Sequence, residues 1–456
     1  MVNVKRISKI LIIVLFVILS IFVANNHEHW SDEAQSYLLA RDNSILEIFS
    51  YMRYEGTPSL WVIVIKLFIF LGGTFETFYI IPIFFSTIGI IIFEYKIKAP
   101  WYIKVLFPFT YFIFYQYTIV ARSYCMVFPM LMIIAFIYDK KLEKPILYSL
   151  ILLFFMNISL HTLIISGSLY FIFLIDVYKN KKFGDKKVLI ACILIFIELL
   201  LTLICTIPAI DCSFVGNGGR EITHIISEAT IGSDYDILIE CIITAIIATI
   251  FIFVLKNQRK LNNFYFIILF VPVIAVLMFI TYQGWHIGII WILIFTYFII
   301  NNMINDSKII KIFMIIVCLI QIYWTISSCI YDFYNNYSAS KDASDFLKTI
   351  DYEEKRIYGL GYSVTGIQPY FEYNIFENQN TDKSFYLWKI NNGYLSNNET
   401  LSNKADIYVI SEFHKTIYYK HINELEKIGY RKYEFKGYTY IKNHKYEPEG
   451  YIIYVK

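Results

Sequence analysis

The sequence predicts a mainly α fold: a polytopic membrane helix bundle of about eleven spans, followed by a C-terminal extracytoplasmic α/β domain. Three observations predict it. Hydrophobic residues make up 57% of the 456 positions and charged residues only 17%, well below the ~25% charged share of a typical soluble domain. Apolar stretches such as Ile10 to Val23 with its flanks, Val188 to Ile207 and Ile309 to Ile330 approach or exceed the ~18 residues that cross a hydrocarbon core about 30 Å thick. From about Ser338 these runs give way to short alternating segments.

Lipid leaves no solvent for unpaired backbone groups, so the spans are expected to be helical. They are placed near 7–24, 77–95, 102–119, 121–138, 146–159, 162–178, 188–209, 236–255, 262–281, 286–301 and 309–329. Lys5, Arg6 and Lys9 precede the first run, and no A-x-A site follows it. It therefore reads as a retained first helix with its amino end in the cytoplasm. Basic clusters mark the cytoplasmic loops: Lys96, Lys98 and Lys104; Lys140, Lys141 and Lys144; Lys179 to Lys187; Lys256, Arg259 and Lys260; Lys308 and Lys311. The piece Ser59 to Leu71 is only about thirteen residues long, and a crossing there would invert every later basic loop, so it reads as a juxtamembrane or re-entrant helix. The chain is expected to sit in the cell membrane, multi-pass, with its C-terminal domain outside.

Two units follow, a membrane unit over 1–330, with a first outer loop at 25–76, and a soluble extracytoplasmic unit over 331–456. In the second, SASKDASDFLKTI reads as a capped helix, KRIYGLGY and ADIYVISEF as strands, HINELEKIGY as a helix ending at Gly429, and YRKYEFKGYTYIKN with YIIYVK as a closing strand pair. None of the seven cysteines lies beyond Tyr331, which excludes a disulfide framework for this unit, and no cysteine pair has metal or redox spacing. A net charge of +3, small and dispersed, argues against a nucleic-acid partner. The lipid bilayer is the first partner the sequence implies.

Most of the chemistry lies in outer loops. NHEHWSDEAQSYLLARD follows the first span, with Ser31 placed to cap a helix and Asp32 and Glu33 in its first turn. Ser44 and Glu47 form a capping box for a second short helix, so the loop reads as two amphipathic helices lying along the interface. His27, Glu28 and His29 lack the i, i+4 spacing of a helical zinc site and read as solvated residues flanking the first span. Glu55, in RYEGTPSLW, stands just before an apolar helix. Arg122, in YQYTIVARSY, sits between two apolar spans, where a guanidinium either snorkels or meets an anion such as phosphate. His161 and His286 each stand at the outer end of a span.

Taken in order, SDEAQSYLLARD, YEGTPSLW, YQYTIVARSY, LHTL and GWHIG resemble the motifs of the GT-C superfamily of integral-membrane glycosyltransferases. The likeness is to the bacterial branch related to protein O-mannosyltransferases and lipid A aminoarabinose transferases. It covers roughly residues 1–330 through the order of short, loose motifs. Where relatives often carry H-P-P-L, this chain has Thr57, Pro58, Ser59 and Leu60, and of an R-H-H-G-like signal only His286 and Gly288 are present. The resemblance implies transfer of a sugar from a polyprenyl-phosphate donor to an extracytoplasmic glycan, lipid or protein acceptor in the cell envelope. It also implies Asp32 as general base with Glu33 beside it, and substrate binding by Glu55, Arg122, Tyr124, His161 and His286. Inversion at the anomeric carbon is the expected course, because the sequence places no second carboxylate for a covalent intermediate. A divalent metal is compatible with the sequence but not required by it, and no metal ligand is assigned.

Two other readings stay open at this level. A flippase or transporter of lipid-linked saccharide would also place arginine and histidine along a membrane path. A polysaccharide polymerase or ligase would use a long outer loop such as 211–234.

Overall fold

The computed structural model describes residues 2–213, 221–232, 237–255, 263–281, 283–379, 382–390, 405–412, 425–441 and 445–456. The membrane unit opens with α1 (Val2–Ala24), then α2 (Ser31–Asp42), α3 (Ile45–Glu55), α4 (Leu60–Phe70), α5 (Ile80–Lys96) and α6 (Trp101–Leu106). It continues through α7 (Val127–Ile137), α8 (Pro145–Met156), α9 (Leu160–Lys179), α10 (Lys186–Thr206), α11 (Ile222–Thr230) and α12 (Ile237–Leu255). The last members are α13 (Asn263–Phe279), α14 (Gly284–Ile300), α15 (Met303–Asp306) and α16 (Lys308–Tyr334).

Among the described residues, six helical segments are long and apolar enough to cross a membrane: Arg6–Ala24, Phe75–Lys96, Ser123–Lys140, Leu160–Lys179, Lys186–Thr206 and Lys308–Tyr334. Each coincides with an expected span. Four further expected spans are shorter apolar helices, at Pro145–Met156, Leu238–Ile250, Phe264–Phe279 and Gly284–Ile300. The eleventh, 102–119, is broken into α6, a 3-10 turn at Phe107–Phe109 and a π-helical turn at Phe112–Gln116. Pro108 lies at the break, and proline can neither donate an N–H nor fit beside the preceding turn. Leu60–Phe70, which the sequence reading kept out of the span count, is an 11-residue helix, hence ~16 Å long and short of the ~30 Å core.

Side-chain burial differs between the helices. On α1, Leu11, Ile18 and Phe22 are exposed while Phe16 is fully buried and packs on Phe109 and Phe114. At the other extreme, nearly all of α14 is buried. Gly288 is required there, because a Cβ would fall 2.6 Å from the Tyr117 hydroxyl.

The soluble unit begins after α16 ends at Tyr334, a few residues later than expected. It contains α17 (Ser340–Thr349), β1 (Ile357–Leu360), a 3-10 segment at Tyr362–Tyr370, β2 (Ile407–Ser411), β3 (Arg431–Phe435), β4 (Tyr438–Ile441), β5 (Lys445–Pro448) and β6 (Tyr451–Val455). The main sheet has the order β1-β2-β6-β3, parallel between β1 and β2 and antiparallel elsewhere, and β4 and β5 form a separate antiparallel pair. All four strands expected from the sequence are present. The helix expected in HINELEKIGY falls in part outside the described residues, and Gly429 at its end has a positive φ of 96°.

The two units meet through α2, which packs on α4 of the membrane unit and on the 3-10 segment Tyr362–Tyr370 of the soluble unit. Eight of its twelve residues, including Glu33, Gln35, Tyr37 and Leu38, are buried. The expectation of an amphipathic helix lying on the interface is therefore corrected. The apolar face of α2 is covered by α4, and its polar face by the soluble unit rather than by water.

Candidate active site

The start of α2 positions the site. Trp30 is extended, and its N–H donates to Glu33 Oε2 at 3.0 Å, closing the first turn through the third helical residue. Ser31, expected as the cap, is instead the first helical residue, and its N–H donates to Glu449 Oε1 of the soluble unit at 3.0 Å. Asp32 and Glu33 then leave the helix in different directions, as successive helical residues must.

The Asp32 side chain stays partly exposed. Its Oδ2 pairs with Arg122 Nη1, and its Oδ1 accepts the Tyr362 hydroxyl at 2.7 Å. The side chains of Arg122 and Asp32 keep 19% and 20% of their surface exposed, so both remain reachable. The Arg122 guanidinium lies 5.8 Å from the Trp30 ring and 5.5 Å from the Trp285 ring, a spacing at which aromatic faces attract a cation. Glu55, the last residue of α3, is half-buried beside this pair. Gly56 ends that helix in the left-handed conformation at φ 62°. Glu55 Oε1 accepts Gln35 Nε2 at 2.7 Å. Desolvation pushes its carboxyl up to about 7, with the Asp32 charge adding to the shift and Gln35 and Arg122 opposing it.

Glu33 is sealed. It is fully buried and accepts from Trp30 N–H and from Ala121 N–H at 2.6 Å, with His29 Nδ1 at 3.0 Å and His27 Nε2 at 3.6 Å. Burial alone would raise its carboxyl, but His29 and His27 together hold it below the usual carboxylate range. His27 in turn meets Asp332 Oδ2 at 2.8 Å near the end of α16. Burial alone would lower its imidazole, and Asp332 and Glu33 outweigh that and raise it to about 10. Glu28 Oε2 accepts the Tyr337 N–H at 2.7 Å. The expectation that His27, Glu28 and His29 are solvated is therefore corrected. They tie the first loop to the end of α16 and the linker, and they brace the backbone one residue before Arg122.

The other expected residues form a layer beside Arg122. Tyr124 is buried, with its ring 5.6 Å from that of His286, and the His286 and His161 rings lie 4.4 Å apart. Trp285, adjacent to His286, links this layer to Arg122, and its carbonyl accepts the Tyr117 hydroxyl at 2.6 Å. Asp32, Arg122, Glu55, Tyr124, His161 and His286 are thus gathered in one region, with Glu33 on its sealed side.

Sequence reasoning missed Gln35, Tyr362, Trp30 and Trp285. Gln35 was recoverable, since it lies three residues after Asp32 on the same helix. Tyr362 carried no signal, because it reaches Asp32 across 330 positions. Asp32 and Glu55 are two carboxylates close enough to influence one another, and among the described residues no group of three or more histidine, cysteine or acidic side chains is placed to hold a metal ion. Comparison of the chain with family models, with curated proteins and with solved structures finds no match.

Proposed function

We propose that the chain is a membrane glycosyltransferase that moves a sugar from a polyprenyl-phosphate donor to an acceptor outside the cell membrane, with Asp32 as general base. The observation that carries this reading is the division of the partly exposed Asp32 carboxylate between Arg122 on one oxygen and Tyr362 on the other. Glycosyl transfer from a lipid phosphate requires a base for the acceptor hydroxyl and a cation for the phosphate that departs. One ion pair at the membrane unit's junction with the soluble unit contains both.

In the absence of substrate, Arg122 occupies one oxygen of the Asp32 carboxylate. A donor phosphate offers the guanidinium a better partner, with two-pronged N–H contacts to its oxygens. The exchange frees the Asp32 carboxylate just as the donor is in place. The acceptor hydroxyl then transfers its proton to Asp32, its oxygen bonds to the anomeric carbon, and the bond from that carbon to the phosphate oxygen breaks. The charge left on polyprenyl phosphate stays on Arg122. Tyr362 keeps the carboxylate oriented through its O–H, and Glu55 is placed to accept a hydroxyl of the sugar or acceptor. In this reading the amino terminus is cytoplasmic and the soluble unit faces outward.

The test reconstitutes purified protein with radiolabelled polyprenyl-phosphate sugars and compares it with Asp32→Asn. The expected loss is about 10²- to 10⁴-fold in sugar released, the range for removal of a general base. Equal consumption by both proteins defeats the assignment of Asp32. Movement of intact lipid-linked sugar between leaflets, without cleavage, identifies a transporter instead.

A further inference from the structure

Three aromatic side chains of the soluble unit stand beside Asp32. The ring centroids of Tyr362, Tyr386 and Trp388 form a triangle with sides of 5.4 Å, 4.9 Å and 4.7 Å. All three are partly exposed, and none belongs to the buried cores of the two units. Their chain neighbours behave differently, since Phe385 is buried in the membrane unit's core and Leu387 packs against it. The segment therefore alternates, with Phe385 and Leu387 packed inward and Tyr386 and Trp388 gathered with Tyr362 outside that core.

This segment is held at several points. Gln35 grips Tyr386 from both sides, donating to its carbonyl at 2.7 Å and accepting its N–H at 2.8 Å, while the same amide nitrogen also serves Glu55. The Trp388 carbonyl accepts Ser213 N–H at 3.0 Å, and Lys389 Nζ meets Asp211 at 3.2 Å. Such anchoring fixes the rings before any ligand arrives, which lowers the ordering cost of binding.

We propose that Tyr362, Tyr386 and Trp388 form a saccharide-binding subsite that receives a pyranose ring of the acceptor, so that the acceptor is itself a glycan or glycoconjugate. The negative face of an aromatic ring attracts the C–H groups on the apolar face of a pyranose. Asp32 and Glu55 supply acceptors for the ring's hydroxyls, the mixture of aromatic walls and a few placed polar groups that small polar ligands require. The assignment to acceptor rather than donor rests on the glycosyltransferase reading. Arg122 takes the Asp32 oxygen that faces the membrane unit, and the aromatic trio lies against the other oxygen, through the Tyr362 hydroxyl.

The experiment passes the full chain, in detergent, over immobilised neutral hexose, N-acetylhexosamine and uronic acid oligosaccharides, and measures polyprenyl phosphate binding separately. Trp388→Ala is expected to weaken retention by about tenfold on at least one saccharide class, a change of roughly 1.4 kcal/mol. Trp388→Phe is expected to keep most of the retention, and both variants are expected to keep polyprenyl phosphate binding and the wild-type thermal midpoint. Retention of no saccharide by the wild-type chain overturns the proposal, as does equal retention by Trp388→Ala. An equal loss of polyprenyl phosphate binding also overturns it, by marking the trio as structural. If saccharide retention falls in Trp388→Ala but Asp32→Asn matches the wild type in the transfer assay, the subsite stands and the transferase reading fails. If transfer depends on Asp32 while saccharide retention is unchanged by Trp388→Ala, the transferase reading stands and the subsite fails.

Discussion

Asp32 and Glu33 are adjacent carboxylates in the same helical turn, and the regions they enter are opposites. Glu33 points into a closed cluster with His27, His29, Asp332 and two backbone N–H groups, without exposed surface. Asp32 stays partly exposed, and its partners are a guanidinium and a phenol that both retain some exposure. A saturated, buried carboxylate has no free oxygen to offer a substrate, and its protonation is held by its neighbours. A partly exposed one can exchange its partners. The difference teaches that an acidic pair at a helix start can divide the work, with one member fastening the loop and the other facing the ligand.

The widest test of this division is catalytic. The 10²- to 10⁴-fold loss expected of Asp32→Asn should come with a smaller drop in thermal midpoint than Glu33→Ala produces; the reverse ranking breaks the comparison. Next in size is the stability cost of Glu33→Ala, which leaves His27, His29 and the Ala121 N–H facing an empty site. Removing one partner from a buried charge cluster costs about 3–5 kcal/mol, read as a lowered unfolding midpoint in detergent.

A pH series sharpens the same contrast. His27 has a folded value of about 10 against an ordinary 6.5, so its contribution is complete below 6.5 and is lost as pH rises through 10. Glu33 lies below its ordinary 4.5, so its contribution is present above 4.5 and is lost as pH falls through the depressed folded value. The cluster should be strongest between 4.5 and 6.5 and should weaken on the alkaline side. Asp332→Asn should flatten that alkaline decline in midpoint; an unchanged slope would remove His27 from the account. The smallest effect concerns α3, which carries Glu55. Ser44 accepts the Glu47 N–H at 3.4 Å, and Glu47 accepts the Ser44 N–H at 2.7 Å. Ser44→Ala should cost about 1 kcal/mol and leave the pH dependence of the sealed cluster intact, as chemical unfolding of the two proteins would show.

Much of the fold was legible because it rests on local pattern. Hydropathy marks α1, α5, α9, α10 and α16 without reference to anything else in the chain, and short runs rich in β-branched and aromatic residues mark β1, β2 and β6. The break at 102–119 was less visible, since Pro108 sits in an otherwise continuous apolar run and its effect depends on how the neighbouring helices re-satisfy the freed backbone. Within the site, Asp32, Glu55 and Arg122 stood out as charges next to apolar helices, where an ionisable group is costly, and their roles came only from the resemblance in motif order. The burial of His27 and His29 was not legible, because Asp332 and Ala121 are supplied from distant parts of the chain.

The sequence by itself determined that this chain is built of long apolar helices followed by a cysteine-free α/β unit, and that the loop after its first long helix carries an acidic pair. Hydrophobic run length and residue spacing are properties of neighbouring residues, so they can be read in one dimension. Only the tertiary structure decided which member of the pair stays exposed, that Tyr362 of the soluble unit reaches Asp32, and that α2 is enclosed between the two units. Those outcomes depend on which distant groups desolvate and pair with each carboxylate, and a burial energy set by contacts across 300 positions leaves no local signature.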